Sequence, residues 1–305
     1  MRVFMTGAGG YIGGVVAGRL RAAGHAVAGL ARGEDAARRL TEAGVEAVRG
    51  DLGDIALVER EAGAADAVIH LAMEQSRRAV ELDGAVTDAV LRAMQGSGRP
   101  FLYTSGTAVL GDTGAWPADE DRRIDPAGPV AWRAAHEAQV TDAAARGVRG
   151  MVIRPSLVYG RGGGAVVTSQ VQAARRDGVA RYVGDGANRW STVHVDDLAD
   201  LYLLALGRAE GGSVWNAEGG ETVSMAELAA AASRTAGAGG RVEGLEPDEA
   251  KAAFGWMTRM LALNLVVTSA RARAELGWSP SSPSLLEELA SGSYASAGEA
   301  DAEPR

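Results

Sequence analysis

The stretch TGAGGYIG, residues 6–13, follows the apolar run RVFM (2–5) at the start of the chain. Glycines at the spacing G-x-x-G-x-x-G between an apolar run and a helix-like stretch leave one simple solution, a strand that turns tightly into a helix. Gly7 allows the turn, Gly10 lets another group approach the backbone, and Gly13 permits close packing of the helix on the sheet. A strand followed by such a helix belongs to a parallel sheet, because parallel neighbours need a crossover between them.

The first half of the chain repeats that unit. AVAGL (26–30), VEAV (45–48), AVIHL (67–71), PFLYT (100–104) and GMVIR (150–154) read as further strands. Helical stretches near 11–23, 35–43, 76–95 and 131–145 separate them, an alternation that predicts a parallel sheet covered on both faces. After Arg154 the pattern loosens into the glycine-rich GRGGGA and VGDGANRW. It recovers in a helix at 196–206, in VWNA (214–217), and in helices near 225–236, 246–263 and 283–290. The expected fold class is α/β, a Rossmann-type doubly wound parallel sheet with a smaller C-terminal substrate-binding domain. Residues 1–157 form the first part, to which 192–208 return; 158–191 and 209–292 form the second. The small, polar residues 293–305 read as a disordered tail.

Charge and composition narrow the partners. A net charge of −8 disfavours nucleic acid or an anionic membrane as the main partner. There is no cysteine, and His25, His70, His136 and His194 are scattered without ligand spacing, so no metal is expected. No signal-peptide pattern and no bilayer-length apolar run are present, which predicts a cytoplasmic protein, monomer or homodimer.

A glycine turn at a helix N-terminus presents free N–H groups and a positive dipole end to a pyrophosphate. Gly7, Gly9, Gly10, Tyr11, Ile12 and Gly13 are therefore expected to hold a dinucleotide. The second strand ends Leu30, Ala31, Arg32 where an NAD site wants a carboxylate for the ribose hydroxyls. Arg32 suits a 2′-phosphate and favours NADP, with NAD possible; stacking on adenine is its alternative role. Asp51 and Leu52 follow the third strand, facing the adenine. Leu71, Ala72 and Met73 end the fourth, beside the expected ribose.

With TGAGGYIG, GDL, DAVIHLA (66–72), YTSGTAVLG (103–111), RPSLVYG (154–160) and VHVDDLA (193–199) in place, the chain resembles the extended short-chain dehydrogenase/reductases over residues 1–290. It is similar to an atypical subgroup of NAD-dependent epimerase/dehydratase type, some of whose actinomycete members are ketoreductases tailoring aromatic polyketides in antibiotic biosynthesis. The resemblance puts Pro155, Ser156 and Val158 beside the nicotinamide, Thr104 and Arg133 toward its ribose, and His194 with Asp196 at the hinge of the substrate domain.

One departure is sharp. The family's Tyr-x-x-x-Lys falls near Pro129 and Arg133, yet no tyrosine lies between Tyr103 and Tyr159, and Lys251 is the single lysine. The strict serine position falls on Gly106. A missing general acid forfeits roughly 10²–10⁴ in rate, and Arg133 cannot relay a proton because it does not deprotonate.

Ser105, Thr107 and Tyr159 are the candidate catalytic groups. The two hydroxyls sit at a strand end where ligands of such sheets bind, turn-capping being their alternative; Tyr159 is the spare acid. Met73, Gly106, Trp116, His136, Asn188, Arg189 and Trp190 are candidate substrate contacts, with core packing the competing role for the aromatics. The reading is an NADP-preferring reductase of a ketone on a bulky, aromatic, polyketide-like metabolite. A sugar-nucleotide epimerase or dehydratase is one rival, disfavoured because its oxidation needs a base. A non-catalytic redox sensor that binds NADP is the other.

Overall fold

The computed structural model of the chain describes residues 1–74, 76–125 and 130–296. Its first half alternates strictly: β1 (Arg2–Thr6), α1 (Tyr11–Ala22), β2 (Ala26–Ala31), α2 (Glu34–Glu42), β3 (Glu46–Arg49), α3 (Ile55–Ala64), β4 (Ala67–His70), α4 (Ala79–Met94) and β5 (Pro100–Thr104). Then come α5 (Arg133–Asp142), β6 (Arg149–Pro155), β7 (Leu157–Tyr159), α6 (Ala165–Asp177), β8 (Ala180–Val183), β9 (Arg189–His194) and α7 (Val195–Arg208). The last third holds β10 (Val214–Ala217), β11 (Thr222–Ser224), α8 (Met225–Thr235), β12 (Val242–Leu245), α9 (Pro247–Phe254), α10 (Thr258–Leu261), α11 (Leu285–Ser291) and α12 (Ser293–Ser296).

Among the described residues, seven strands form one parallel sheet in the order β3-β2-β1-β4-β5-β6-β10. Both faces are covered, which is why its strands read as continuous apolar runs. Val3 and Met5 cluster with Leu20 of α1 and Leu201 of α7, while Phe4 between them clusters with Val58 of α3 and Val86 of α4. Strand order reverses between β1 and β4, so a crevice opens beyond their carboxyl ends, and ligands of such sheets bind there.

Two assignments move. VWNA is not part of the substrate-side layer: β10 pairs with β6 at the edge of the main sheet, and Trp215 is fully packed in the same core as Trp278. The tail starts later than expected, because Ser293–Ser296 is helical and Tyr294 is 3% exposed. One buried aromatic suffices to dock a segment whose average composition is polar. Residues 297–305 lie outside the described residues.

The smaller layer consists of a three-stranded sheet, β11-β9-β7, and the parallel pair β12-β8. Val167 and Val171 of α6, Leu228 of α8 and Leu289 of α11 give it a separate apolar cluster. No helix among the described residues is long and apolar enough to cross a membrane.

Candidate active site

The glycine turn forms as its spacing demands. Gly7 has φ +76°, and a Cβ there would lie 2.7 Å from the Ala72 amide nitrogen. A Cβ on Gly13 would run into the Gly7 carbonyl oxygen. Below the turn, the Thr6 hydroxyl and His70 Nδ1 lie 2.5 Å apart, and Ala72 N–H donates to the same hydroxyl. Helix α1 starts at Gly10 with no side-chain cap, so its first N–H groups face the crevice unpaired by a side chain.

Two cavities meet at Gly7 and Gly10. One, of about 570 Å³, runs along the ends of β2, β3 and β4 and is walled by Gly9, Arg32, Arg39, Asp51, Leu52, Ala72 and Met73. The carboxylates that follow Arg32 are engaged elsewhere: Arg49 binds Glu34 at 2.7 Å and Arg38 binds Asp35 at 2.7 Å. Arg32 therefore keeps its charge available to a ligand. Arg39 of α2 and Arg78, at the N-cap of α4, add guanidinium groups that the sequence reading missed, beside a second carboxylate, Glu74; their spacing carries no mark of it.

The other cavity, of about 450 Å³, lies over the ends of β5 and β6 and reaches α6, β9 and α10. Tyr11, Ile12, Leu71, Pro155, Ser156 and Val158 wall the side nearest the glycine turn. Gly106, Thr107, Val166, Trp190, Met260 and Leu265 wall the far side. No charged side chain lies among its described walls. Thr107 is buried and walls the cavity from the turn after β5. Ser156 Oγ is buried with no hydrogen-bond partner.

Other expected residues are placed elsewhere. Ser105 walls neither cavity; its N–H donates to Ile153 O, and its hydroxyl is buried and unpartnered. Thr104 Oγ1 lies 2.6 Å from the Tyr202 hydroxyl, inside the sheet–α7 interface. Tyr159 donates to Pro283 O at 2.7 Å, packs edge-on against His194, and burial pushes its phenol up. Asn188 donates to Leu261 O and Leu263 O, and Arg189 to Thr222 O. Trp116 is 83% exposed and walls neither cavity, whereas Trp190 walls the second with its indole N–H on Leu263 O.

Helix α5, which the family resemblance makes the bearer of the acid pair, is stitched to the interior. Arg133 donates to Thr104 O at 2.7 Å and lies 4.6 Å over the Trp132 ring. His136 Nδ1 lies 2.7 Å from Asp83 Oδ2, an oxygen that also accepts from the Tyr103 hydroxyl at 2.6 Å. Burial would raise the Asp83 carboxyl, but its bonds to His136, His70 and Tyr103 outweigh that and hold it well below the usual carboxylate range. Glu137 accepts from Arg154 at 2.6 Å with both side chains buried. None of these groups walls a cavity, so the titratable side chains of α5 frame the site rather than face it. Pro129, the other expected position, lies outside the described residues.

A glycine turn on an uncapped helix, at the switch point of a parallel sheet, defines a dinucleotide-dependent α/β enzyme scaffold. Comparison with known proteins narrows it. The sequence pattern of the NAD dependent epimerase/dehydratase family matches residues 3–217. An uncharacterised protein of Schizosaccharomyces pombe is 33% identical, over 96% of this chain and 100% of its own. The 2-alkyl-3-oxoalkanoate reductase of Stenotrophomonas maltophilia is 31% identical, over 75% of this chain and 73% of its own. The crystal structure of Thermus thermophilus UDP-glucose 4-epimerase in complex with NAD shares the fold, with a TM-score of 0.80 and 24% identity across 98% of this chain and 99% of that one. The chain belongs to the NAD dependent epimerase/dehydratase family, the extended short-chain dehydrogenase/reductases, as its motifs indicated.

Proposed function

We propose that the protein is an NADPH-preferring reductase of a ketone on a bulky, largely apolar metabolite. The observation that carries this reading is the second cavity: apolar walls, hydroxyl donors, and no charged side chain among the described residues. A sugar nucleotide brings a diphosphate, and burying that charge without cations is strongly unfavourable. An aryl or alkyl ketone needs only apolar contact and a few placed donors.

The site fits the cofactor. Gly7 and Gly13 let the turn pack against its own backbone and the end of β4, which leaves the uncapped start of α1 open to a pyrophosphate, and Arg32 with Arg39 suits a 2′-phosphate. When bound, the reduced nicotinamide supplies hydride to the carbonyl carbon. Thr107 holds the ketone and donates to its oxygen as negative charge develops there. Pro155 and Val158 wall the nicotinamide side, and Trp190, Met260 and Leu265 exclude water from the substrate side. The phenol among these walls, Tyr11, donates to Gly160 O at 2.8 Å, and burial pushes it up. That phenol is committed to the Gly160 carbonyl, and no carboxyl, imidazole, ammonium or second phenol lies among the described walls. The proton comes from solvent, or from a hydroxyl of the substrate next to the ketone, as a phenol ortho to an aryl ketone provides.

NADPH consumption against matched aryl ketones with and without the ortho hydroxyl tests this reading. Faster turnover of the hydroxylated partners is expected. Turnover confined to UDP-sugars would establish the epimerase reading instead, and tight NADPH binding with no consumption would establish a sensor.

A further inference from the structure

Residues 160–164, GRGGG, run past the glycine turn and lead into α6, with Gly164 and Val166 walling the second cavity. Four glycines in five residues give this loop little conformational preference of its own. Its one other residue, Arg161, sits at φ 53°, a left-handed conformation that a side chain rarely adopts. The loop must therefore be ordered from outside.

Three elements distant in sequence do so: Asp196 of α7 holds the Arg161 guanidinium at 2.7 Å, and two others hold the backbone. From α12, the Tyr294 hydroxyl accepts from Gly160 N–H at 2.8 Å and donates to Gly163 O at 2.5 Å, while Ser293 Oγ accepts from Gly162 N–H at 2.7 Å. From the start of α1, the Tyr11 hydroxyl donates to Gly160 O at 2.8 Å, and a Cβ on Gly163 would strike the Tyr11 ring. Helix α12 thus grips one side of a loop whose other side lies on Tyr11, which walls the second cavity next to the glycine turn. Tyr294 itself is fixed in the apolar cluster of Leu285 and Leu289, and Glu288 accepts from Ser293 N–H at 3.0 Å. Burial pushes the Tyr294 phenol up to about 12, so it is a protonated donor at neutral pH.

We propose that Tyr294 is a positioning residue for the nicotinamide half of the dinucleotide, acting through the 160–164 loop and Tyr11. This rests on the dinucleotide part of the functional reading and not on the choice of substrate. The cavity assigned to the adenosine half is walled by neither the loop nor α12, so the two halves of the cofactor should respond differently.

Dissociation constants of the full-length protein for NADPH and for 2′,5′-ADP, which carries only the adenosine end, give the test. Tyr294→Phe should weaken NADPH about tenfold, the scale of one lost ordering contact, and leave 2′,5′-ADP within about twofold. Equal weakening of both ligands, or an unchanged NADPH constant, would overturn the proposal. Ser293→Ala keeps the buried ring and should show the same selectivity more weakly. It decides the matter if Tyr294→Phe does not fold, and an unchanged NADPH constant there counts against the proposal. Should the wild type prefer NADH, NADH and ADP-ribose form the same pair. A wild type that binds neither dinucleotide overturns this proposal and the cofactor reading together. One that binds NADPH but reduces no ketone overturns the reaction alone.

Discussion

The two cavities share Gly7 and Gly10 yet are made of opposite chemistry. The cavity assigned to the adenosine is walled by the guanidinium groups of Arg32, Arg39 and Arg78 and the carboxylates of Asp51 and Glu74, carried on three consecutive βα units. Its neighbour is apolar, with hydroxyls as its main polar groups, and draws its walls from α1, the turn after β5, the end of β6, β7, α6, β9 and α10. On the proposed reading, charge lies where the charged cofactor would be held and is absent where the hydride would meet its acceptor. The family's usual acid helix follows the same division. Arg133, His136 and Glu137 of α5 all turn inward to the sheet and α4, so the reaction side loses its titratable groups to the frame.

The strongest way to break that comparison is to remove a part of the frame. Glu137→Ala leaves Arg154 buried and unpaired, and losing one partner of a buried pair costs about 3–5 kcal/mol. Denaturant midpoints should fall accordingly, while any folded fraction keeps its turnover. A large loss of rate with unfolding unchanged would mean that α5 takes part in the chemistry after all.

Next comes the hydroxyl on the apolar side. Thr107→Val keeps the shape and removes the donor, and a well-placed oxyanion donor is worth about 10²–10³ in rate. kcat should drop by that order with NADPH affinity intact. Unchanged kcat would leave the cavity as a binding site without a polarising group.

On the charged side, Arg32→Ala should erase most of the preference for NADPH over NADH, about 1.5–3 kcal/mol for a charge-assisted contact. Arg39→Ala should remove part of the remainder. Equal affinities for the two dinucleotides in the wild type would show that Arg32 only stacks on adenine.

The same division explains what the sequence made legible. The glycine turn, Arg32, Asp51 and Met73 are set by short-range rules, since each lies a few residues beyond a recognisable strand. Thr107 and Ser105 stand two positions apart on a turn, and only the turn's geometry decides that Thr107 walls the cavity. The destination of β10 depends on pairing with β6, more than fifty residues earlier, and VWNA carries no mark of it. Tyr294 looked like part of a polar tail because its partners, Gly160 and Gly163, lie in a loop with no side chains to announce a contact. Trp116 and Trp190 are chemically alike in the sequence, yet one is in solvent and the other walls the site.

The smallest effect is expected at Tyr159, and it bears most directly on how the proton moves. Its motif, RPSLVYG, runs along the reaction side, and a tyrosine is what the family would use as acid. The fold turns this one away: Tyr159 is 4% exposed, its hydroxyl is committed to Pro283 O, and burial pushes its pKa above the ordinary phenol value. A donor already bonded to a carbonyl, and harder to deprotonate than free phenol, has no path to a ketone over the nicotinamide. Tyr159→Phe therefore deletes one hydrogen bond and leaves Pro283 O to find another donor. Stability should fall by about 0.5–1.5 kcal/mol, and kcat should stay within about tenfold of wild type, short of the 10²–10⁴ that a general acid contributes. Single-turnover rates beside thermal unfolding of the same variant separate the two effects. A thousandfold loss of rate in a folded, NADPH-binding protein would put the missing acid at Tyr159 and end the substrate-assisted mechanism.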